Sequence, residues 1–207
     1  MHLTRRDLLS AALASPLAWP TNATTTDTTA QAAPGQASAR PADPAMLMRS
    51  GGLVLVLRHA LAPGTFDPPG FQLGDCSTQR QLDNTGRAQA TQIGQWLAQR
   101  GLRPSRVRSS PWCRCLETAQ LAFGRAEPWA ALGSPTMADP TTRSANQRNL
   151  QQALASASLQ PGRFEAWVTH QFVITELVGG GAAPGDGLLL RWGSTGKVDL
   201  LALLPAP

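Results

Sequence analysis

Two histidines and two arginines carry the residue chemistry best suited to an anion in this sequence. His59 follows the apolar run Leu53-Val54-Leu55-Val56-Leu57 and Arg58, and His170 follows the run from Phe164 to Thr169. Imidazole can act as a nucleophile or a proton carrier, and the guanidinium fork binds phosphate through paired hydrogen bonds. In open α/β sheets, ligand sites gather beyond the carboxyl ends of strands, so two strand-end histidines can face one pocket. Arg58 immediately precedes His59. Arg114 falls in the first helical turn after Ser109-Ser110-Pro111, where helix amides also meet an anion. Together these four residues would form a cationic, donor-lined cup fit for a phosphoryl group in transfer.

The elements that must position them follow from periodicity. The run at 53–57 is short, continuous and flanked by glycines, as in a buried parallel strand. The loop from Ala62 to Asp83 is rich in Pro, Gly and Asp. Asn84 to Gln99 reads as a helix with Ala88, Ile93, Trp96 and Leu97 near one face, stopped by Gly101. Arg106 to Arg108 reads as a strand, and Ser109-Ser110-Pro111 as the cap of a second helix with proline near its first turn. Residues 133–146 read as irregular, Gln147 to Ser158 as helix, and Phe164 to Thr169 as strand. A helix is expected from Phe172 to Leu177, then closing strands at Leu188 to Arg191 and Val198 to Leu204. Strands alternating with helices predict an α/β domain with a mostly parallel sheet.

Four segments in order resemble one family. Leu57-Arg58-His59-Ala60 is similar to the Arg-His-Gly signature of histidine phosphatases and cofactor-dependent phosphoglycerate mutases. Leu82 to Ala90 is similar to the segment that opens their first helix. Ser109 to Ala119, with Ser-Ser-Pro, two residues, Arg and then Thr-Ala, resembles the second signature, and Val168-Thr169-His170 the third. The resemblance covers roughly residues 53–204. It implies a three-layer α/β sandwich with a mostly parallel central sheet, phosphoglycerate mutase-like. It also implies attack by a ring nitrogen of His59 on phosphorus, giving a phosphohistidine that water then opens. Arg58, Arg114 and His170 would hold the phosphoryl oxygens, and Thr65 stands where many relatives have a phosphate-contacting asparagine. No metal and no cofactor is expected, since the arginines take the part of a cation and no histidine/carboxylate cluster has ligand spacing.

Three positions depart from the family pattern. Ala60 replaces a glycine, Leu61 stands where many members have glutamate, and Gln171 follows His170 where glycine or a proton-donating aspartate is usual. The proton donor is therefore open among Asp67, Asp75, Asp139 and Glu176. Asp75 is favoured because its loop follows the nucleophile. A mutase and a non-catalytic phosphate or phospho-ligand binding protein are the alternatives to a phosphomonoester hydrolase.

The remaining features bound the context. The chain has 207 residues and a formal net charge of +5, with Lys197 its one lysine. Basic character suits anionic substrates, but no Lys/Arg run or aromatic-basic interleaving marks a nucleic-acid partner. No apolar run is long enough to span a membrane. Thr4-Arg5-Arg6-Asp7-Leu8-Leu9, with the mildly apolar stretch to Trp19, reads as a twin-arginine-type signal over residues 1–30. Residues 31–50 read as a disordered linker and 51–207 as the domain. Export to the periplasm or medium is expected, with a phosphorylated small molecule or envelope lipid as partner. In that oxidising setting Cys76 is expected to pair with Cys113 or Cys115, which at i and i+2 on a helix cannot easily bridge each other. A cysteine phosphatase is not indicated, because a Cys, five residues, Arg loop is absent.

Overall fold

The computed structural model describes residues 43–206. The twin-arginine segment and the linker up to residue 42 lie outside the described residues. The chain runs α1 (Pro44–Ser50), β1 (Leu53–Arg58), α2 (Asn84–Gln99), β2 (Arg106–Ser109), α3 (Cys113–Phe123), β3 (Glu127–Pro128), α4 (Pro140–Ser158), β4 (Phe164–Thr169), α5 (Gln171–Val178), β5 (Gly187–Trp192) and β6 (Val198–Leu204). The strands form one six-stranded sheet in the order β3-β2-β4-β1-β5-β6. β3, β2, β4 and β1 are mutually parallel, and β5 and β6 are antiparallel.

β1 is buried on both faces, which explains its unbroken apolar run. Leu53, Leu55 and Leu57 face one layer with Met48, Ile93, Leu97, Ala119 and Ala122. Val54 and Val56 face the other with Leu150, Leu154, Trp167, Val173 and Ile174. Strand alternation thus sends successive side chains into two separate cores, and the domain is a sheet between two helical layers. This is the fold class that the alternating pattern and the resemblance predicted.

Several boundaries differ from the expected ones for local reasons. Residues 44–50, assigned to the linker, form α1. Asp43 caps it by accepting from the Ala45 amide at 2.9 Å, Pro44 opens it, and Ala45 and Met48 are buried. α3 begins at Cys113, so Pro111 lies before the helix and not in its first turn; its N-cap is Trp112, with no side-chain cap. α4 begins at Pro140, with Asp139 accepting from the Thr141 and Thr142 amides, so residues 140–146 are helical and not irregular. Ala88 is exposed; the buried stripe of α2 is Gly86, Ala90, Ile93 and Leu97. Among the described residues no helix is long and apolar enough to cross a membrane.

One packing constraint bears on the site. A Cβ at Gly86 would lie 2.1 Å from the Leu61 carbonyl oxygen, so α2 reaches the backbone just beyond His59 only because residue 86 has no side chain. Gly86→Ala is expected to cost roughly 1–3 kcal/mol, the range for overpacking. A urea midpoint equal to that of the unmutated protein would contradict this.

Candidate active site

Register brings the two histidines together. β1 and β4 pair in parallel with Arg58 opposite Thr169, so the next residues, His59 and His170, leave adjacent strands at the same level. Their rings lie 5.5 Å apart between centroids. β2 ends beside them, with Ser109 opposite Val168, and the Ser110 amide donates to the Val168 carbonyl. α3 then starts directly above the strand ends, and its second residue, Arg114, points back between the histidines.

Arg114 is 5% exposed and donates to three partners. Its Nε meets His59 Nε2 at 3.3 Å, its Nη1 meets Asp67 Oδ1 at 2.8 Å, and its Nη2 meets His170 Nδ1 at 3.4 Å. Because arginine can only donate, both ring nitrogens that face it are acceptors. The remaining nitrogens carry the protons: His59 Nδ1 donates to the Ala60 carbonyl at 2.8 Å, and His170 Nε2 donates to Ser110 Oγ at 2.8 Å. His59 therefore presents an unprotonated Nε2 beside Arg114 and His170. Burial pushes the His59 imidazole down to about 3, assisted by Arg114, Arg58 and Arg80 against the Ala60 hydrogen bond, and His170 is lowered for the same main reason. Both rings are neutral at physiological pH.

The turn after His59 is held by residues of the recognised segments. Thr118 Oγ1 accepts from the Ala60 amide at 3.1 Å and donates to the Arg114 carbonyl at 2.7 Å, tying nucleophile turn to helix. Gln89 Oε1 accepts from the Leu61 amide at 3.0 Å, and its Nε2 donates to the Pro184 carbonyl at 2.8 Å. Gln171, the departure after His170, also has a structural partner set: its Oε1 accepts from Arg58 Nη1 at 3.4 Å and from the Ala182 amide at 3.0 Å.

A cavity of about 440 Å³ opens over this cluster, lined by Arg58, His59, Arg114, His170 and Thr65 together with Asp67 and Arg80. The structure thus brings His59 and the four residues expected to contact phosphate to one cavity. It does not place Asp75 there. Asp75 is exposed and caps a turn by accepting from the Ser77 amide and hydroxyl, because the chain folds back on itself between Gln72 and Thr78. Asp139 is spent as the α4 cap, and Glu176 lies 4.0 Å from Arg143, outside the cavity. The carboxylate that lines the cavity is Asp67. It also accepts from Trp112 Nε1 at 3.2 Å and the Arg80 amide at 3.0 Å. Burial would raise its carboxyl, but the Arg80 amide, Arg114 and Trp112 together hold it below the usual range.

Arg80 was missed by the sequence reading. Its guanidinium bonds the Gly64 carbonyl and lines the cavity, adding a third cation. The signal was an arginine three residues before the α2 cap, close to the recognised segment. The loop that carries it is clamped to α3 twice: Cys76 is bridged to Cys113, and Gln79 Oε1 accepts from the Cys113 amide at 3.0 Å. The expected pairing of Cys76 with an α3 cysteine is therefore present, through Cys113. Cys115 is a buried free thiol, pushed up to about 12 by burial, and is no nucleophile. Among the described residues no group of three His, Cys, Asp or Glu side chains is placed to hold a metal ion.

Residues 54–134 match the family model of the histidine phosphatase superfamily (branch 1). That stretch runs from β1 through α3 and holds His59 and Arg114. Among solved structures, mycobacterial glucosyl-3-phosphoglycerate phosphatase in complex with VO3 is 16% identical, with a TM-score of 0.54 over 75% of this chain and 99% of that one. Phosphoserine phosphatase from Entamoeba histolytica in complex with 3-phosphoglyceric acid is 13% identical, with a TM-score of 0.51 over 73% and 95%. The putative phosphohistidine phosphatase SixA from Agrobacterium tumefaciens is 22% identical, with a TM-score of 0.49 over 75% and 99%. The first two likenesses show the fold. No curated protein matches the sequence.

The depressed histidines make stability depend on pH with a definite sign. Between the ordinary imidazole value and about 3, the unfolded chain binds a proton at His59 that the folded chain does not. Stability is thus complete above about pH 6.5 and falls on acidification, by up to roughly 1.4 kcal/mol per pH unit for this group. His59→Asn should flatten the decline in a thermal-unfolding series from pH 7 to 4; an equally steep decline would contradict the assignment.

Proposed function

We propose that this chain is a metal-independent phosphomonoester hydrolase that works through a phosphohistidine on His59. The observation that carries this reading is the hydrogen bond from His59 Nδ1 to the Ala60 carbonyl, which keeps Nε2 unprotonated within the arginine-lined cavity, where its lone pair faces Arg114. The superfamily match over residues 54–134 supports a phosphatase. A phosphoryl group would take the donors of Arg58, Arg114 and Arg80, with His170 and Thr65 beside it. The nucleophile needs no general base, since its ring is already neutral. Three cations also offset the charge that gathers on the phosphoryl oxygens in transfer.

In the first step the His59 Nε2–P bond forms and the P–O ester bond breaks, leaving an electron pair on the ester oxygen. Asp67 is the group that supplies its proton. In the unliganded site Asp67 is paired with Arg114, but a phosphoryl anion competes for the same guanidinium. Losing that cation and gaining a neighbouring negative charge both raise the carboxyl, so that it takes up a proton where the leaving oxygen needs one. In the second step water attacks phosphorus, the P–N bond breaks, its electron pair returns to Nε2, and Asp67 takes the proton of the water. An exported location is our reading of the Arg5-Arg6 start, and the Cys76–Cys113 bridge supports it, because disulfides persist in oxidising compartments.

The test is hydrolysis of p-nitrophenyl phosphate by the full chain. Activity should survive a chelator and vanish in His59→Ala, and an alkaline detergent quench of the unmutated enzyme should trap a phosphate label that is stable to base and labile to acid. Saturable phosphate binding with no turnover would instead favour the alternative, a phospho-ligand binding protein. Asp67→Asn separates proton donation from mere positioning of Arg114. Turnover of an alkyl phosphate should fall about 10²- to 10⁴-fold, the span for general acid catalysis, while p-nitrophenyl phosphate should lose far less. Equal losses on both substrates would reduce Asp67 to a positioning residue.

A further inference from the structure

The cavity is larger than a phosphoryl group needs, and beyond the cup its lining is mainly apolar, with Ser134, Thr136 and Gln171 as its uncharged polar members. Its floor is buried, with His59 and His170 each 4% exposed. Its rim is not: Phe66 is 70% exposed and Phe172 45% exposed, and both line the cavity. Pro68 and Pro69 line the same wall, and Phe71 stacks on Trp112 with ring centroids 5.9 Å apart. The charged side chains that line the cavity are Arg58, Asp67, Arg80 and Arg114, all engaged in the phosphate cup. None is left over to pair with a second charged group on a substrate.

These aromatics come from two separate segments. Phe66 belongs to the loop after His59, and Phe172 is the second residue of α5, two residues past His170. An isolated exposed phenylalanine is ordinary, but two from distant segments that line one charged cup give its mouth an apolar collar. With the other phosphoryl oxygens held in the cup, the ester oxygen would face the rim that Phe66 and Phe172 line.

We propose that this collar is the leaving-group subsite, and that the substrates are phosphomonoesters of apolar alcohols or phenols. The proposal rests on the phosphatase reading above. The collar buries carbon chain and offers flat aromatic faces, with no ionic partner for a carboxylate, an amine or a second phosphate. The amphiphile can reach the site from solution or from a bilayer; the recognised chemistry is the same.

The experiment is kcat/KM of the full chain on n-alkyl phosphates from ethyl to octyl, whose leaving-group pKa values are nearly constant, beside glycerol 2-phosphate. Each added methylene should raise kcat/KM up to about fourfold until the collar is filled. The rise should collapse toward a flat series in the Phe66→Ala/Phe172→Ala double variant and persist in Leu73→Ala, an exposed apolar residue of the same loop outside the cavity. A flat series in the unmutated enzyme, or glycerol 2-phosphate turned over faster than butyl phosphate, would overturn the subsite while leaving the phosphatase reading intact. If no phosphomonoester is turned over, the phosphatase reading fails instead. The affinity of the same alkyl phosphates, measured by calorimetry, then decides the collar alone: chain-length dependence supports it and none overturns it. Hydrolysis of phosphatidic acid in phosphatidylcholine vesicles would place the substrate in the bilayer. A chain-length rise without it supports a dissolved amphiphile.

Discussion

The guanidinium of Arg114 is the contact on which the rest of the site depends. It is buried, and a buried charge is tolerable only when its donors are taken up. Here the donors are divided among His59, His170 and Asp67, and each contact does a different job. The two histidine contacts fix ring tautomers, because a ring nitrogen facing arginine cannot itself carry a proton. The aspartate contact neutralises the cation while no anion is bound. One side chain thereby bears on the tautomer of His59, the orientation of His170 and the ionisation of Asp67.

Keeping Arg114 in place is a problem of backbone geometry more than of side-chain affinity. Three adjacent parallel strands end at one level, so the residues that follow β1, β2 and β4 arrive together. Thr118 then couples the turn after His59 to the first turn of α3, and the absence of a side chain at Gly86 lets α2 close over the same turn. The loop from 62 to 83 would carry its own conformational freedom into the site. The Cys76–Cys113 bridge closes a 37-residue span and removes much of that freedom, worth about 3–4 kcal/mol on the loop-entropy account. The residues of the recognised segments that touch no ligand are thus the ones that hold the ends of the pocket together.

What was legible in the sequence follows from this. His59, His170, Arg58 and Arg114 stand at the ends of regular elements, so periodicity alone places them, and the same periodicity located the sheet and the span of α2. Carboxylates in an irregular loop have no such address. Asp67 and Asp75 are eight residues apart in one polar segment, and which of them turns inward depends on contacts with Trp112 and Arg114, some 45 residues away. Arg80 was lost for the same reason. Two helix starts do have a local signal: Asp43-Pro44 and Asp139-Pro140 each carry a capping aspartate before a proline at the first helical position, although the composition around them is that of a loop. Ala88 shows the opposite fault, an apolar residue counted toward a face that the helix turns to solvent.

The electrostatics of the site impose a consistent order on its chemistry. Burial is the main reason both imidazoles stay uncharged, and the three arginines close to them add to it. The same field that helps keep His59 unprotonated attracts a phosphoryl anion, so the conditions that favour binding also keep the nucleophile competent. On the proposed mechanism an arriving anion would cancel part of that field and draw Arg114 away from Asp67, so that the carboxyl could take up the proton a leaving group needs. An apolar group seated between Phe66 and Phe172 would strengthen each of these effects by excluding water, since charges interact more strongly where the dielectric is low. The collar and the cup are in this sense one device: the uncharged part of the substrate completes the environment in which its charged part reacts.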